Sequence, residues 1–574
     1  MGRNGLQLDF TVVRGGWRAG RHLPAVLKGN PMTRYLTFAL CVVLALVSIA
    51  MASLHQSMGW ALAAVPLLAL SVLGTVDLLQ TRATLRRSYP LTAHFRYGLE
   101  AFRPEIRQYF IEDDQDEVPF SRQQRALVYQ RAKNVSDVVP FGSELPMYGT
   151  QYEWINHSLV PAHAASHDFR VPVGDERAQP YTASIFNISA MSFGSLSANA
   201  IRALNLGAKR GNFFHDTGEG AISDYHREHG GDLVWEVGSG YFGCRDAKGR
   251  FDEDLFARHA AEPQVRMVEL KLSQGAKPGH GGMLPGAKVT PEIAETRGIP
   301  VGQDCESPAA HTTFSTPLGL LEFVDRMRTL SGGKPAGFKL AIGHPWEWFG
   351  IARAMLDSGI LPDFIVVDGA EGGTGAAPSE FINHVGLPLQ EALMLVHNTL
   401  VGIGLRDRIR VAAAGKITSG FDIARTLAMG ADWCNAGRGF MFSLGCIQSR
   451  TCHTDQCPTG VATQDPARWR LLDVPDKANR VFHFHQNTLK ALRDMIGAAG
   501  LEHPMQIGPE HILRRVSPTE VRSLAALYRF LEPGELLTGV PEHAVFKTFW
   551  PSARADSFAP PARASAMHVA KRTH

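Results

Sequence analysis

The chain is short of cysteine, short of net charge and without any long basic run. Seven cysteines stand in 574 residues, an odd number, and Cys41, Cys244, Cys305 and Cys434 are scattered. That is no disulfide framework, so reduced thiols and a reducing compartment are expected. The formal net charge is only +3, and no Lys/Arg run is interleaved with aromatics. Nucleic acid is therefore not an expected partner. There is no internal repeat, no long low-complexity linker, and no G-x-G-x-x-G after the first β-type run. That last absence argues against an open doubly wound dinucleotide-binding sheet. What is present, 45% hydrophobic and 20% charged residues, is a globular composition with a sizeable core. The length suits one large domain with attachments, or two or three domains.

Two apolar runs stand near the front. Residues 35–54 and 59–76 carry no charge, and each is long enough to cross a hydrocarbon core as a helix. Only the stretch HQSM, 55–58, lies between them, so a tight transmembrane hairpin is expected over 35–80. A cleaved signal peptide fits less well, because a second span follows at once. Arg14, Arg18, Arg21, Lys28 and Arg34 precede the first span, and Arg82, Arg86 and Arg87 follow the second. Positive charge stays on the cytoplasmic side. The reading is an inner-membrane protein of two spans, with a basic cytoplasmic N-terminus (1–34) and the remaining chain facing the cytoplasm.

Residues 81–180 are mixed and polar, with an acidic run at 112–117, and read as a lead-in packed on the outside of the main domain. From Tyr181 short β-type runs alternate with amphipathic stretches. The expected strands are 184–190, 212–215, 233–237, 267–272, 336–342, 364–368, 410–414 and 433–436. Helices are expected at 198–209, 318–330, 347–358, 388–400 and 420–429. Eight strands alternating with helices predict an α/β fold, a parallel (β/α)8 TIM barrel over 181–470, with the open sheet as runner-up. A helical extension is expected over 471–552. The tail at 553–574, rich in Ala, Pro and Arg, is expected to be disordered.

In such a barrel the chemistry gathers at the C-terminal ends of the strands. Here those ends carry AMSFGSLS (190–197), DTGEG (216–220), KLSQGAKPGHGG (271–282), DGAEGGTGAAP (368–378), AAGKITSG (413–420) and NAGRGF (435–440). Gly415-Lys416 and Gly437-Arg438 follow the seventh and eighth strands, where barrels commonly hold a phosphate. Lys271 and Lys339 lie within apolar β-type runs. An unpaired ammonium is costly there, so an anionic partner such as a reduced flavin or a dicarboxylate is expected. The stretch FSLGCIQSRTCHTDQCPTGVATQ (442–464) puts Cys446, Cys452 and Cys457 at a C-x5-C-x4-C spacing. Thiolates this close can share a soft metal centre. Zinc with His453 as fourth ligand and an iron–sulfur cluster are both open on spacing alone.

QGAKPGHGG, DGAEGGTGAAP, the Gly415 and Gly437 turns and GCIQSRTCHTDQCPTGVATQ, in that order, resemble the FMN-binding domain of glutamate synthase. The resemblance runs from about Tyr181 to Gln464. It implies a 3Fe-4S cluster on Cys446, Cys452 and Cys457, and FMN at the strand ends. By that resemblance Ala190, Met191 and Ser192 line the flavin and Lys271 faces it. Gln274 and Lys277 face the substrate. Asp368, Gly372, Gly373, Gly415, Gly437 and Arg438 form the ribityl and phosphate shell, and Lys339 belongs to the cofactor set. The implied reaction is reduction of 2-iminoglutarate, made from 2-oxoglutarate and ammonia, to L-glutamate, with hydride from reduced FMN and single electrons through the cluster. Competing readings are other amine chemistry on the same scaffold, such as N-methylglutamate formation from methylamine, and a non-catalytic electron-transfer module. An FMN-dependent 2-hydroxy-acid oxidase shares the barrel but gives no reason for the three cysteines.

The departures from that family are specific. The chain begins MGRNG and has no N-terminal cysteine nucleophile, so glutamine hydrolysis is expected to fall to a separate glutaminase. The family's glycine-rich β-helical C-terminal domain is not seen. His280 stands where the large enzymes have Glu, and Glu236 where they have Gln. No NAD(P)H-binding domain is visible, so electrons are expected from a separate donor, a ferredoxin or reductase subunit, or from the membrane pool. The match is better to stand-alone, membrane-tethered members of the family.

Overall fold

The computed structural model describes residues 33–560 apart from 82 and 116–118. Most of the basic N-terminal flank, Arg82, the last residues of the acidic run and the tail from 561 lie outside the described residues. The chain forms two compact units, 1–112 and 113–574.

In the first unit, helices α1 (Leu36–His55) and α2 (Met58–Leu79) form an antiparallel hairpin. Gln56, in the left-handed region at φ 45°, and Ser57 make the turn. Both helices are long and apolar enough to cross a membrane. Their mutual face is built from small side chains. Ala45 and Ser48 are buried on one helix, and Ala64, Ser71 and Gly74 on the other. A Cβ at Gly74 would collide with the Phe38 ring, so glycine there permits close approach. The large residues point outward: Leu46 is 63% and Val65 66% exposed. Helix α3 (Thr92–Ile106) runs into a π-helical turn, Arg107–Ile111.

The second unit is a closed barrel of eight parallel strands. They are β1 (Phe186–Ile188), β2 (His215–Asp216), β3 (Leu233–Val237), β4 (Val265–Lys271), β5 (Ala336–Leu340), β6 (Phe364–Asp368), β7 (Arg410–Ala414) and β8 (Trp433–Ala436). Each overlaps a run expected to be a strand, β2 only at His215 because Asn212 still caps the preceding helix, and β8 pairs back onto β1 through Cys434 and Phe186. Strands β3, β5 and β8 are buried at every position, as expected for a parallel sheet covered by helices.

The lead-in from residue 113 joins this unit. Helix α4 (Arg122–Ala132) begins with a capping box, Ser121 accepting from Gln124 N at 3.1 Å. Helix α5 (Ala198–Gly211) follows β1. It packs under α6 (Val474–Ala498), which also meets α4. The extension after 470 is not all helix. Its segments Ile512–Ser517 and Glu520–Ser523 form a hairpin that pairs antiparallel with Glu153–Ile155. Nor is the tail loose where it is described, up to 560. Leu318 N donates to Ala555 O at 3.0 Å, and Ala553, Ala555 and Phe558 pack on the core. These apolar side chains offset the ordering of a segment whose composition alone reads as disordered.

Gly207 marks the tightest α5–α6 crossing: a Cβ there would meet the Val481 Cβ at 2.6 Å and the Ala478 carbonyl at 2.8 Å. Gly207→Leu is expected to destabilise this unit by about 1–3 kcal/mol, read as a lower denaturation midpoint of the purified chain. An unchanged midpoint would show that α6 yields freely.

Candidate functional site

The strand ends open into one cleft, of about 1180 Å³ counted out to its open mouth. Ala190, Met191, Ser192, Lys271, Gln274, Lys277, Lys339, Asp368, Gly372, Gly373, Gly415, Gly437 and Arg438 all line it, and so does Cys452. Cys446 and Cys457 lie outside the lining, on the loop that carries Cys452.

Lys271 ends β4 and is 8% exposed. Its ammonium meets the Glu219 carboxylate at 2.9 Å. Burial pushes the Glu219 carboxyl up. Lys271, with Arg297 and Lys277 behind it, more than reverses this and holds it down at about 2. Gly282 gives the carboxylate room, since a Cβ there would collide with Glu219 Oε1. His311 fixes the strand end from the other side. Its Nε2 donates to the Lys271 carbonyl at 2.8 Å, and its Nδ1 lies 3.0 Å from the Tyr241 hydroxyl. Burial lowers this imidazole to about 4, so it is neutral. Lys277 is 2% exposed, and burial lowers its ammonium pKa against the pull of Glu219.

Lys339 corrects the expectation of an external anionic partner. Its ammonium is ion-paired with Glu236 and lies 3.6 Å from Glu269. Asp216, Glu236 and Glu269 hold carboxylate oxygens within 4.8 Å of one another, all buried. Burial pushes Glu269 well up, helped by the charges of Asp216 and Asp368, and pushes Asp216 up against the pull of Lys339. Crowding and burial together favour the protonated form of such acids. Asp368 is also raised by burial, and its Oδ2 accepts from Gly275 N at 2.9 Å.

The opposite wall is shaped for a group with bulk and negative charge. A Cβ on Gly437 would meet only Ser189 Cβ at 3.9 Å, and one on Gly375 nothing within 4 Å, so both glycines border open space. The Arg438 guanidinium stands beside them, donating to Thr374 O at 2.7 Å. Lys416 lines the same wall, at φ 50°.

Cys446, Cys452 and Cys457 are free thiols on an irregular loop. The loop turns through the left-handed region at Gln448, Arg450 and Asp455. Burial raises Cys446 to about 11, and the other two thiols push it in the same direction, so the three lie within electrostatic reach. Lys288, 2% exposed, donates to Ser195 O at 2.8 Å, Ala462 O at 3.2 Å and Cys452 O at 3.4 Å. A buried cation within electrostatic reach of Cys452 and Cys457 suits a centre that carries negative charge. His453 is exposed.

Residues 158–502 match a family model described as a conserved region in glutamate synthase. The glutamate synthase large subunit-like protein YerD of Bacillus subtilis is 35% identical over 493 residues, 79% of this chain and 94% of that protein. The chain belongs to the glutamate synthase family. The archaeal-type glutamate synthase (NADPH) of Thermotoga maritima is 36% identical over 330 residues, 57% of this chain and 62% of that protein's length. Among solved structures, a flavocytochrome b2 variant with pyruvate bound has a TM-score of 0.40 and 12% identity, covering 82% of this chain and 93% of that one.

Four residues of this glutamate synthase family site were not singled out from the sequence: Glu219, His311, Lys288 and Arg297. Glu219 lies in the strand-end motif DTGEG, so its position was visible. Its partner, 52 residues on at Lys271, was not. Arg297 donates to Phe193 O at 3.0 Å from a helix that reads as ordinary surface. His280, which departs from the larger enzymes, stacks edge-on to Phe381 and does not line the cleft.

A carboxyl held at about 2 when folded, against its ordinary value of 4.5, favours the folded state by roughly 3 kcal/mol. That contribution is complete above pH 4.5 and fades as the pH falls towards 2. Glu219→Gln is therefore expected to be less stable than the parent at pH 7, with the gap closing as the pH is lowered. A gap independent of pH would show that the Lys271 pair contributes nothing.

Proposed function

We propose that the chain is a membrane-tethered, FMN-dependent glutamate synthase-type oxidoreductase that reduces the 2-imino acid formed from 2-oxoglutarate and ammonia to L-glutamate. The observation that carries the reading is the cluster of Lys271, Lys277 and Gln274 beside Glu219 at the mouth of a glutamate synthase family barrel. When bound, FMN would supply the two electrons of the reduction, and a 3Fe-4S cluster would pass electrons singly. The open space at Gly375 and Gly437, next to Arg438 and Lys416, suits the phosphate end of FMN. Ala190, Met191 and Ser192 would line the ring system, with Asp368, Gly372, Gly373 and Gly415 along the ribityl chain. Cys446, Cys452 and Cys457 would hold the iron, with Lys288 balancing its charge.

The remaining work falls to side chains of this chain. Lys271 and Lys277 present two buried ammonium groups to a substrate with two carboxylates. Glu219 holds the Lys271 side chain in place, and Gln274 offers an uncharged donor and acceptor beside them. Lys277, its pKa lowered by burial, is suited to exchange a proton with the carbinolamine oxygen or the imino nitrogen as water leaves. The neutral His311 holds the end of β4 still.

Electrons would come from a separate donor, a ferredoxin or reductase subunit, and ammonia from solution or from a separate glutaminase. The hairpin α1–α2 would cross the cytoplasmic membrane with the barrel on the cytoplasmic side. Among the described residues, Arg34 before α1 and Arg86 and Arg87 after α2 support that orientation.

The test is anaerobic. The purified, reduced protein is offered 2-oxoglutarate with ammonia or with methylamine. Re-oxidation of the flavin with glutamate as product is expected in the ammonia arm. Re-oxidation only with methylamine would move the assignment to N-methylglutamate formation, and none in either arm would leave an electron-transfer module. Lys271→Ala is expected to slow the productive arm about 10²–10³-fold. Cys452→Ser should lose iron and its visible absorbance while the barrel stays folded. Full iron content in that variant would refute the cluster assignment.

A further inference from the structure

Helix α3 carries an apolar stripe that its own unit does not cover. Phe95, Leu99, Phe102 and Ile106 recur at i, i+4, i+7 and i+11, which stacks them on one face. Phe110, in the π-helical turn, extends the row. All are exposed, Phe95 at 74%, Phe102 at 66% and Phe110 at 85%. Leaving so many large apolar side chains in water is unfavourable.

Three observations say what covers the stripe. The first is position. Asp77, near the end of α2 and 1% exposed, accepts from Leu91 N at 3.2 Å and meets His94 Nε2 at 2.8 Å. The start of α3 is thereby fixed at the end of the apolar hairpin, which is where the hydrocarbon of a spanned bilayer would stop. The second is charge. Arg96, Arg103 and Arg107 lie together on one flank of the stripe, all exposed, and Arg86 and Arg87 precede them in the connecting turn. Basic side chains beside an aromatic stripe match the anionic headgroup layer. The third is continuity: α1 and α2 already turn their large apolar side chains outward.

We propose that α3 and its π-helical turn lie in the membrane interface, with the Phe95–Phe110 stripe dipped into the acyl-chain boundary and the arginines at the headgroups. The inference rests on the reading that the hairpin spans the bilayer, and it adds a third, non-spanning contact that would hold the base of the hairpin flat on the surface. Aromatic and basic residues at that depth are favourable, and a helix of fifteen residues covers about 22 Å of surface.

The test uses the full chain in nanodiscs of phosphatidylcholine and phosphatidylglycerol containing a phospholipid with a photoactivatable acyl chain. Adducts are mapped by mass spectrometry. The expected result is adducts in α1, in α2 and along Phe95–Phe110. The double variant Leu99→Glu with Phe102→Glu should lose the adducts in α3 and keep those in the hairpin. Hairpin adducts without any in 95–110 would overturn the inference and leave the spanning reading intact. No adducts in any of the three helices would overturn both. Cross-links through Phe95–Phe110 between two copies of the chain, in place of lipid adducts, would also overturn it, because the stripe would then be a subunit contact.

Discussion

The catalytic unit depends on pairing charge that has been taken out of water. Lys339 sits inside the barrel, and Lys271 sits at its mouth. Either one unpaired would cost several kcal/mol. Glu236 answers the first and Glu219 the second. The acids outnumber the lysines, and the excess is met by protonation: burial raises Glu269, Asp216 and Asp368. The floor of the cleft thus gathers acids that burial turns towards the neutral form, and Lys271, Lys277, Lys416 and Arg438 line the cleft above them. Binding of an anionic cofactor and a dicarboxylate needs that division. The glycines serve the same end, because a side chain at Gly282 would displace Glu219 and one at Gly437 would fill the cleft.

The barrel was legible because most strands are short apolar runs closed by turn residues; only the second was misplaced, since the expected 212–215 shares just His215 with the strand His215–Asp216. The hairpin was legible for a similar reason, uncharged runs of twenty and eighteen residues. What the sequence hid is long-range pairing. Glu236 and Lys339 are 103 residues apart, and nothing local links them. Lys339 therefore read as a cation awaiting a ligand, when its partner lay two strands away in the chain. The strand Glu153–Ile155 is three residues long and pairs with a segment more than 350 residues later. Such a strand has no periodicity of its own to detect. Composition misled at Ala553–Pro560, where alanine and phenylalanine pack although proline and arginine surround them.

The two units follow opposite packing rules. In the barrel unit the largest side chains are innermost, Trp235, Trp348, Trp433 and Trp550 among them. In the hairpin the small side chains are innermost and the large ones face out. A soluble helical pair has no reason for that inversion, since outward leucine gains nothing from water. Were the hairpin to span a bilayer as proposed, outward leucine would cost nothing and the gain would come from close packing such as that of Phe38 on Gly74.

The thiol loop and the cleft are one structure rather than two. Strand β8 ends at Ala436, Gly437 and Arg438 line the cleft, and Cys446 follows eight residues later after a single short helix. Cys452 then returns to the cleft wall. A single tetrahedral zinc would draw its sulfurs to about 3.8 Å from one another. Among the described residues, no group that includes these thiols gathers its ligand atoms within 4.8 Å. His453, the fourth ligand such a site would want, is exposed. Were the proposed iron–sulfur centre to form on these thiols, the buried Lys288 beside Cys452 and Cys457 would balance part of its charge. Because Cys452 borders the cleft itself, that centre would adjoin whatever the cleft holds, with no layer of protein between. This arrangement would let a barrel that binds both cofactor and substrate receive electrons from outside without opening its polar floor.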